Sequence, residues 1–147
     1  MDTKATTKDA WRHQAFAGAT ALLILLFVYA ALSKLLELER FRGQLYNQSF
    51  SHALADLLLF ALPISELVTC GLLMLPLTRW YGLLSAAALM TVFTLYIALV
   101  LLGFWSRVPC SCGGVLAHLS WTQHLWFNLF FLGLSMAGLW LCPDRRR

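Results

Sequence analysis

Four long apolar runs separated by short polar breaks account for most of the chain. They cover Ala15 to Leu36, Ala53 to Leu77, Trp80 to Phe104 and Ser120 to Leu141. About 20 helical residues cross the hydrocarbon core of a bilayer. None of the runs alternates with the strict period of two that a barrel strand requires. The pattern therefore predicts an all-α membrane protein, a four-transmembrane-helix bundle over residues 15–141, with tails at 1–14 and 142–147. The first run follows a polar tail, is too long for a signal peptide and lacks a small-x-small site before its charged flank. It reads as an uncleaved span. In the first polar break, Leu38, Phe41 and Leu45 recur at three- and four-residue spacing among Glu37, Glu39, Arg40, Arg42 and Gln44. That spacing predicts a short amphipathic helix in the outer loop.

Composition agrees with a lipid-embedded chain. Of 147 residues, 60% are hydrophobic and 12% charged, against about 25% charged in ordinary soluble domains. A chain this short cannot hide so much apolar surface in one aqueous core. Its net charge of +4 comes from tails and loop edges, which points to membrane topology and not to nucleic acid. With four spans, both termini and the second loop share one side, which carries Lys4, Lys8, Arg12, Arg79, Arg145, Arg146 and Arg147. The opposite side has Lys34, Arg40, Arg42 and Arg107. The positive-inside rule then predicts cytoplasmic termini, in the inner (plasma) membrane if the source is bacterial, with the first and third loops facing the periplasm. Trp11, Trp80, Trp105, Trp121 and Trp140 sit at span ends as an interfacial belt. No internal repeat, phosphate loop or serine-hydrolase elbow is present, and oligomeric state is not legible.

The third polar break holds the clearest chemistry, "PCSCGG" at residues 109–114. On the oxidising side of a membrane, neighbouring thiols tend towards disulfide chemistry. Residues two apart in extended chain lie about 6.5–7 Å apart, at the edge of what a disulfide tolerates. Closing Cys110 onto Cys112 needs a tight turn, which Gly113 and Gly114 permit and Pro109 helps to set. So small a ring is strained, hence oxidising and labile, and as a staple it adds little. Redox exchange, a metal site and an idle turn compete as readings. Cys110, Cys112, His118 and His124 offer four metal ligands, but residues 118 and 124 fall on nearly opposite faces of a shared helix. Position, spacing and glycines favour redox exchange, with no metal. Cys70 and Cys142 read as small apolar fillers.

Polar residues inside the spans form a second set. Glu66 lies mid-span, where ionised groups are expensive and usually functional, three residues after Pro63. Lys34 is the nearest basic candidate in sequence, one to two turns out of depth. An ion pair locking two helices, a proton-handling role and a neutral Glu66 all stay open. Trp121, His124 and Asn128 share one helical face just after the cysteine loop. His124 is a candidate proton shuttle for thiol exchange or quinone reduction, or a packing group; Asn128 reads as packing. Thr91 and Thr94 are expected to bond back to their own helix, and Tyr96 to pack as an aromatic. No cofactor is fixed by these residues, and quinone is a candidate electron partner in the bundle.

Four segments carry a resemblance: "ALSKLLELERF", "LPISELVTCGLLML", "FTLYIALVL" and "CSCGGVLAHLSWTQHLWFNLFFL". Together with the order of spans they resemble the MauE/DoxX-like membrane proteins over about residues 15–141, and the last segment looks closest to the MauE type. The resemblance implies a role in periplasmic disulfide chemistry, with maturation of a disulfide-rich methylamine dehydrogenase subunit as the MauE association. It puts Cys110 and Cys112 in the redox role, facing a periplasmic thiol or disulfide protein. A non-enzymatic accessory or assembly subunit, and a DoxX-like quinone-linked oxidoreductase subunit, are the rival readings.

Overall fold

The computed structural model describes residues 3–48, 51–104 and 120–142. Along them run α1 (Thr3–Leu36), α2 (Leu38–Tyr46), α3 (His52–Met74), α4 (Arg79–Leu101) and α5 (Trp121–Leu141). Residues 10–36 of α1 and the whole of α3, α4 and α5 are long and apolar enough to cross a membrane. In the most apolar stretches of α1, α3 and α4 only 33% of residues are buried, and in α5 only 17%. The remaining apolar surface faces outward, which only a lipid surround makes favourable. The chain is a four-span helical membrane protein.

Helix ends follow local chemistry and trim the runs read from hydropathy. Leu75 precedes Pro76 and takes the extended conformation that a following proline imposes (φ −86°, ψ 122°), which stops α3 at Met74. Gly103, at φ 70°, ends α4 before Phe104. There Phe104 N donates to Leu99 O and Gly103 N to Val100 O, both at 3.1 Å, a Schellman closure. Ser120 lies outside α5 as its cap. Its Oγ accepts from Gln123 N at 3.3 Å, while Gln123 Oε1 accepts from Ser120 N at 2.9 Å. At the other end of the chain, α1 starts at Thr3, so residues 3–14 continue the first span as helix.

Around the bundle, α1 packs on α3 and α5, and α4 packs on the same two, closing a ring; α2 lies on α3. The Arg12 guanidinium sits 5.8 Å from the Trp140 ring and that of Arg79 5.8 Å from Phe16. Arg79 Nε also donates to Leu73 O at 3.1 Å. The start of α1, the α3–α4 turn and the end of α5 thus meet at one end of the bundle, here the terminal end. Phe16, Leu23, Phe27, Leu73, Leu83 and Met90 form its core, joined by Cys70 and Cys142, both buried free thiols.

Near the terminal end, α3 and α4 approach closely at Gly82. A Cβ there would lie 2.7 Å from Leu73 N and 2.8 Å from Leu72 C, backbone atoms that cannot step aside. At Gly138 the obstacle is Leu83 Cδ2 at 2.8 Å, the tip of a rotatable side chain. Gly82→Ala is therefore expected to lower stability by about 1–3 kcal/mol, and Gly138→Ala by clearly less. Thermal unfolding of the two variants in one detergent checks the order; equal midpoints would contradict the close approach.

Candidate intramembrane site

The site starts with a helix break. At Glu37 the backbone leaves the α-helical region (φ −116°, ψ 46°), ending α1 and starting α2 at a new angle. Glu37 N still donates to Ser33 O at 3.3 Å, and Glu37 O accepts from Phe41 N at 2.9 Å, so the chain turns without a gap. Beyond the break, α2 buries Phe41 and Leu45 against Ala55 and Leu59 of α3. Partners on α3 fall in number as α1 and α2 advance. Lys34 meets Glu66, while Tyr46 donates its hydroxyl to Asp56 and packs its ring, tilted, 4.9 Å from that of His52. Both helices therefore run antiparallel to α3 in a single register. The amphipathic helix anticipated in the outer loop does form, as a segment climbing α3.

This register removes the depth mismatch between Lys34 and Glu66. Glu66 is 14 residues beyond His52, about 21 Å along α3 at 1.5 Å per residue. The end of α1 lies beside it, and α2 covers the rest of the climb. Lys34 Nζ donates to Glu66 Oε1 at 2.7 Å and to Ala30 O at 3.1 Å. It also lies 5.8 Å from the centre of the Phe41 ring, a cation–π distance. The Glu66 side chain is 1% exposed and that of Lys34 17%. Among the described residues Glu66 Oε2 is buried with no hydrogen-bond partner.

Lys34 and Glu66 border a cavity of about 370 Å³. From α5, Trp121, His124 and Asn128 reach the same space, the face read from their spacing. His124 and Asn128 are buried, and the Trp121 and His124 rings lie 6.4 Å apart. Phe41 and Leu45 border the cavity from α2, Gln48 from just beyond its C-cap Asn47, and Tyr96 from α4. The Tyr96 hydroxyl donates to Gln48 Oε1, so the chain just after α2 is tied to α4. Sequence reasoning preferred aromatic packing for Tyr96 to an approach to the cysteine loop, and passed over Gln48, because a lone glutamine in a polar break carries no periodic signal. Thr91 and Thr94 bond to Ala87 O and Met90 O on their own helix at 2.7 and 2.6 Å. A further polar contact, Thr69 Oγ1 to Ser85 Oγ at 2.7 Å, joins α3 to α4.

Cys110, Cys112, Gly113, Gly114 and His118 lie outside the described residues. Chain connectivity ties their segment to Phe104 and Ser120, at the end of the bundle opposite Arg12 and Trp140. The site thus combines a net-neutral charge pair, an apolar cavity and polar groups from four helices and from Gln48 just beyond α2. Such a constellation can bind and orient a small molecule, and it can hold a proton at a carboxylate.

Comparison with known proteins matches residues 12–141 to the family model described as methylamine utilisation protein MauE. The methylamine utilization protein MauE of Paracoccus denitrificans is 36% identical over 119 residues, which cover 78% of this chain and 63% of that protein. The chain thus spans somewhat less than two thirds of the length of this relative. No solved structure matches the chain.

Proposed function

The chain belongs to the MauE family, and from that premise we propose an integral membrane thiol–disulfide redox protein whose working pair is Cys110 and Cys112. In this reading the pair faces the periplasm, the termini face the cytoplasm, and the client is a disulfide-containing protein such as methylamine dehydrogenase. Methylamine utilisation is the setting that the family's description suggests.

The observation that supports the reading is how the four cysteines are distributed. Cys70 and Cys142 are buried in the packed core, Cys142 just beyond the terminal end of α5. The 21 residues of α5 measure about 31 Å at 1.5 Å per residue, well beyond the about 7 Å Cα separation a disulfide allows. Cys110 and Cys112 follow the opposite end of α4, so each is the other's natural partner. A client thiolate would attack one sulfur of their disulfide, and a second client thiolate would resolve the mixed disulfide. The client leaves oxidised by two electrons, and the pair is left as a dithiol.

Thiol trapping in intact cells tests this. Cys110 and Cys112 are expected to resist a mass-adding alkylating reagent until a reductant is supplied, while their oxidised fraction responds to loss of the client. If both react without reductant and a Cys110→Ser/Cys112→Ser variant keeps full function, the protein is an accessory or assembly subunit instead.

A further inference from the structure

Three properties of the Lys34–Glu66 cavity jointly specify a ligand. The first is size and lining. At about 370 Å³ it falls within the about 300–1,000 Å³ of small-molecule sites, and Phe27, Phe41, Phe93 and Phe127 are among its apolar walls. Faces of this kind suit a flat ring.

The second is charge and hydrogen bonding. Lys34 and Glu66 sum to zero, so the pair has no surplus charge for an ion. Lys34 Nζ is engaged by Glu66 Oε1 and Ala30 O. Glu66 Oε2, buried and without a partner among the described residues, calls for a donor. A neutral hydroxyl meets that need; a second cation would leave the site positively charged in a low dielectric.

The third is access. Leu54 of α3 and Val92 of α4 border the cavity and are 40% and 60% exposed, which marks an opening between these two helices. Both lie away from the terminal end, where Gly82 and the Thr69–Ser85 bond hold the two helices together. In a bilayer this opening faces hydrocarbon, so the entering molecule is lipid-soluble.

We propose that the cavity binds the ring of a membrane hydroquinone, entering between α3 and α4 and donating a hydroxyl to Glu66 Oε2. Ring, neutrality, donor and lipid solubility all coincide in that class of molecule. The inference goes beyond the thiol chemistry proposed above and does not depend on it.

Quenching of tryptophan fluorescence by decylubiquinol, measured without oxygen on the full chain in detergent, tests the site, since Trp121 borders the cavity. Saturable binding is expected, with affinity falling about tenfold to a hundredfold in Glu66→Gln, as for loss of a hydrogen bond to a charged acceptor. Decylubiquinone, lacking the hydroxyl donor, is expected to bind more weakly. Because Glu66→Gln disturbs a buried pair, Val92→Trp provides a second arm: it fills the opening on the lipid face and leaves the pair intact, and it too is expected to weaken binding. Absence of saturable quenching, equal affinity in both variants, or methylammonium chloride displacing the probe would each overturn the proposal. No thiol takes part in this measurement, so a failed thiol trap leaves it standing, and its failure leaves the cysteine reading untouched.

Discussion

Lys34→Met lowers the stability of the bundle by about 3–5 kcal/mol, the loss expected when one member of a buried ion pair is removed. Glu66 then loses its charge-assisted contact, the 2.7 Å bond from Lys34 to Oε1, and Oε2 has no partner among the described residues to offset it. Ala30 O loses a donor, and Phe41 loses the cation at 5.8 Å, so α2 loosens along with α1. A Lys34→Met/Glu66→Met variant recovers most of the loss, since two apolar chains in an apolar setting leave no charge exposed to lipid. Denaturant unfolding of the three proteins in one detergent gives the comparison. A single-variant cost below about 1 kcal/mol would mean that Lys34 escapes to water and the pair is dispensable.

Single-cysteine variants should show the second large effect. With Cys110 or Cys112 alone replaced by serine, the remaining thiolate can attack a client disulfide, form one new sulfur–sulfur bond and release one client thiol. The neighbour that would reverse the reaction is gone. A thiol tethered two residues away acts at an effective concentration of millimolar or more, so its absence prolongs the mixed disulfide greatly. At least one of Cys110→Ser and Cys112→Ser should therefore accumulate a covalent adduct on a non-reducing gel, lost on reduction and missing from the double variant. If neither single variant yields an adduct, the pair does not exchange with a client.

The elements legible in the sequence were those set by strong local rules. Twenty-odd apolar residues between polar breaks specify a spanning helix whatever surrounds them, and α1, α3, α4 and α5 lie where those runs fall. The spacing of Leu38, Phe41 and Leu45 marked α2 with the correct buried face. Its direction was not legible, because periodicity reports which side of a helix is apolar and nothing about what it leans on. The break at Glu37 decided that direction, and no proline or glycine stands there to announce it. Depth was misjudged for the same reason: the end of the first span near Leu36 was set level with the outer end of the second, whereas α1 ends beside Glu66, 14 residues inside α3. Helix ends at Gly103 and Ser120 were overrun because hydropathy averages across caps that depend on two hydrogen bonds each. The face of Trp121, His124 and Asn128 was readable from 3.6-residue periodicity. Gln48 was not, since its contact with Tyr96 spans 48 positions.

The shared register of α1, α2 and α3 has a consequence for biogenesis. A charged side chain presented alone at the centre of an inserting helix costs about 2.5–3.5 kcal/mol on insertion scales, and Glu66 falls deep within α3. Once α3 folds back along α1 and α2, Lys34 and Glu66 come together within one helical hairpin, which enters lipid as an electrically neutral unit. The first helix therefore has reason to wait at the insertion machinery for the next span, and the two are released into the bilayer as a pair.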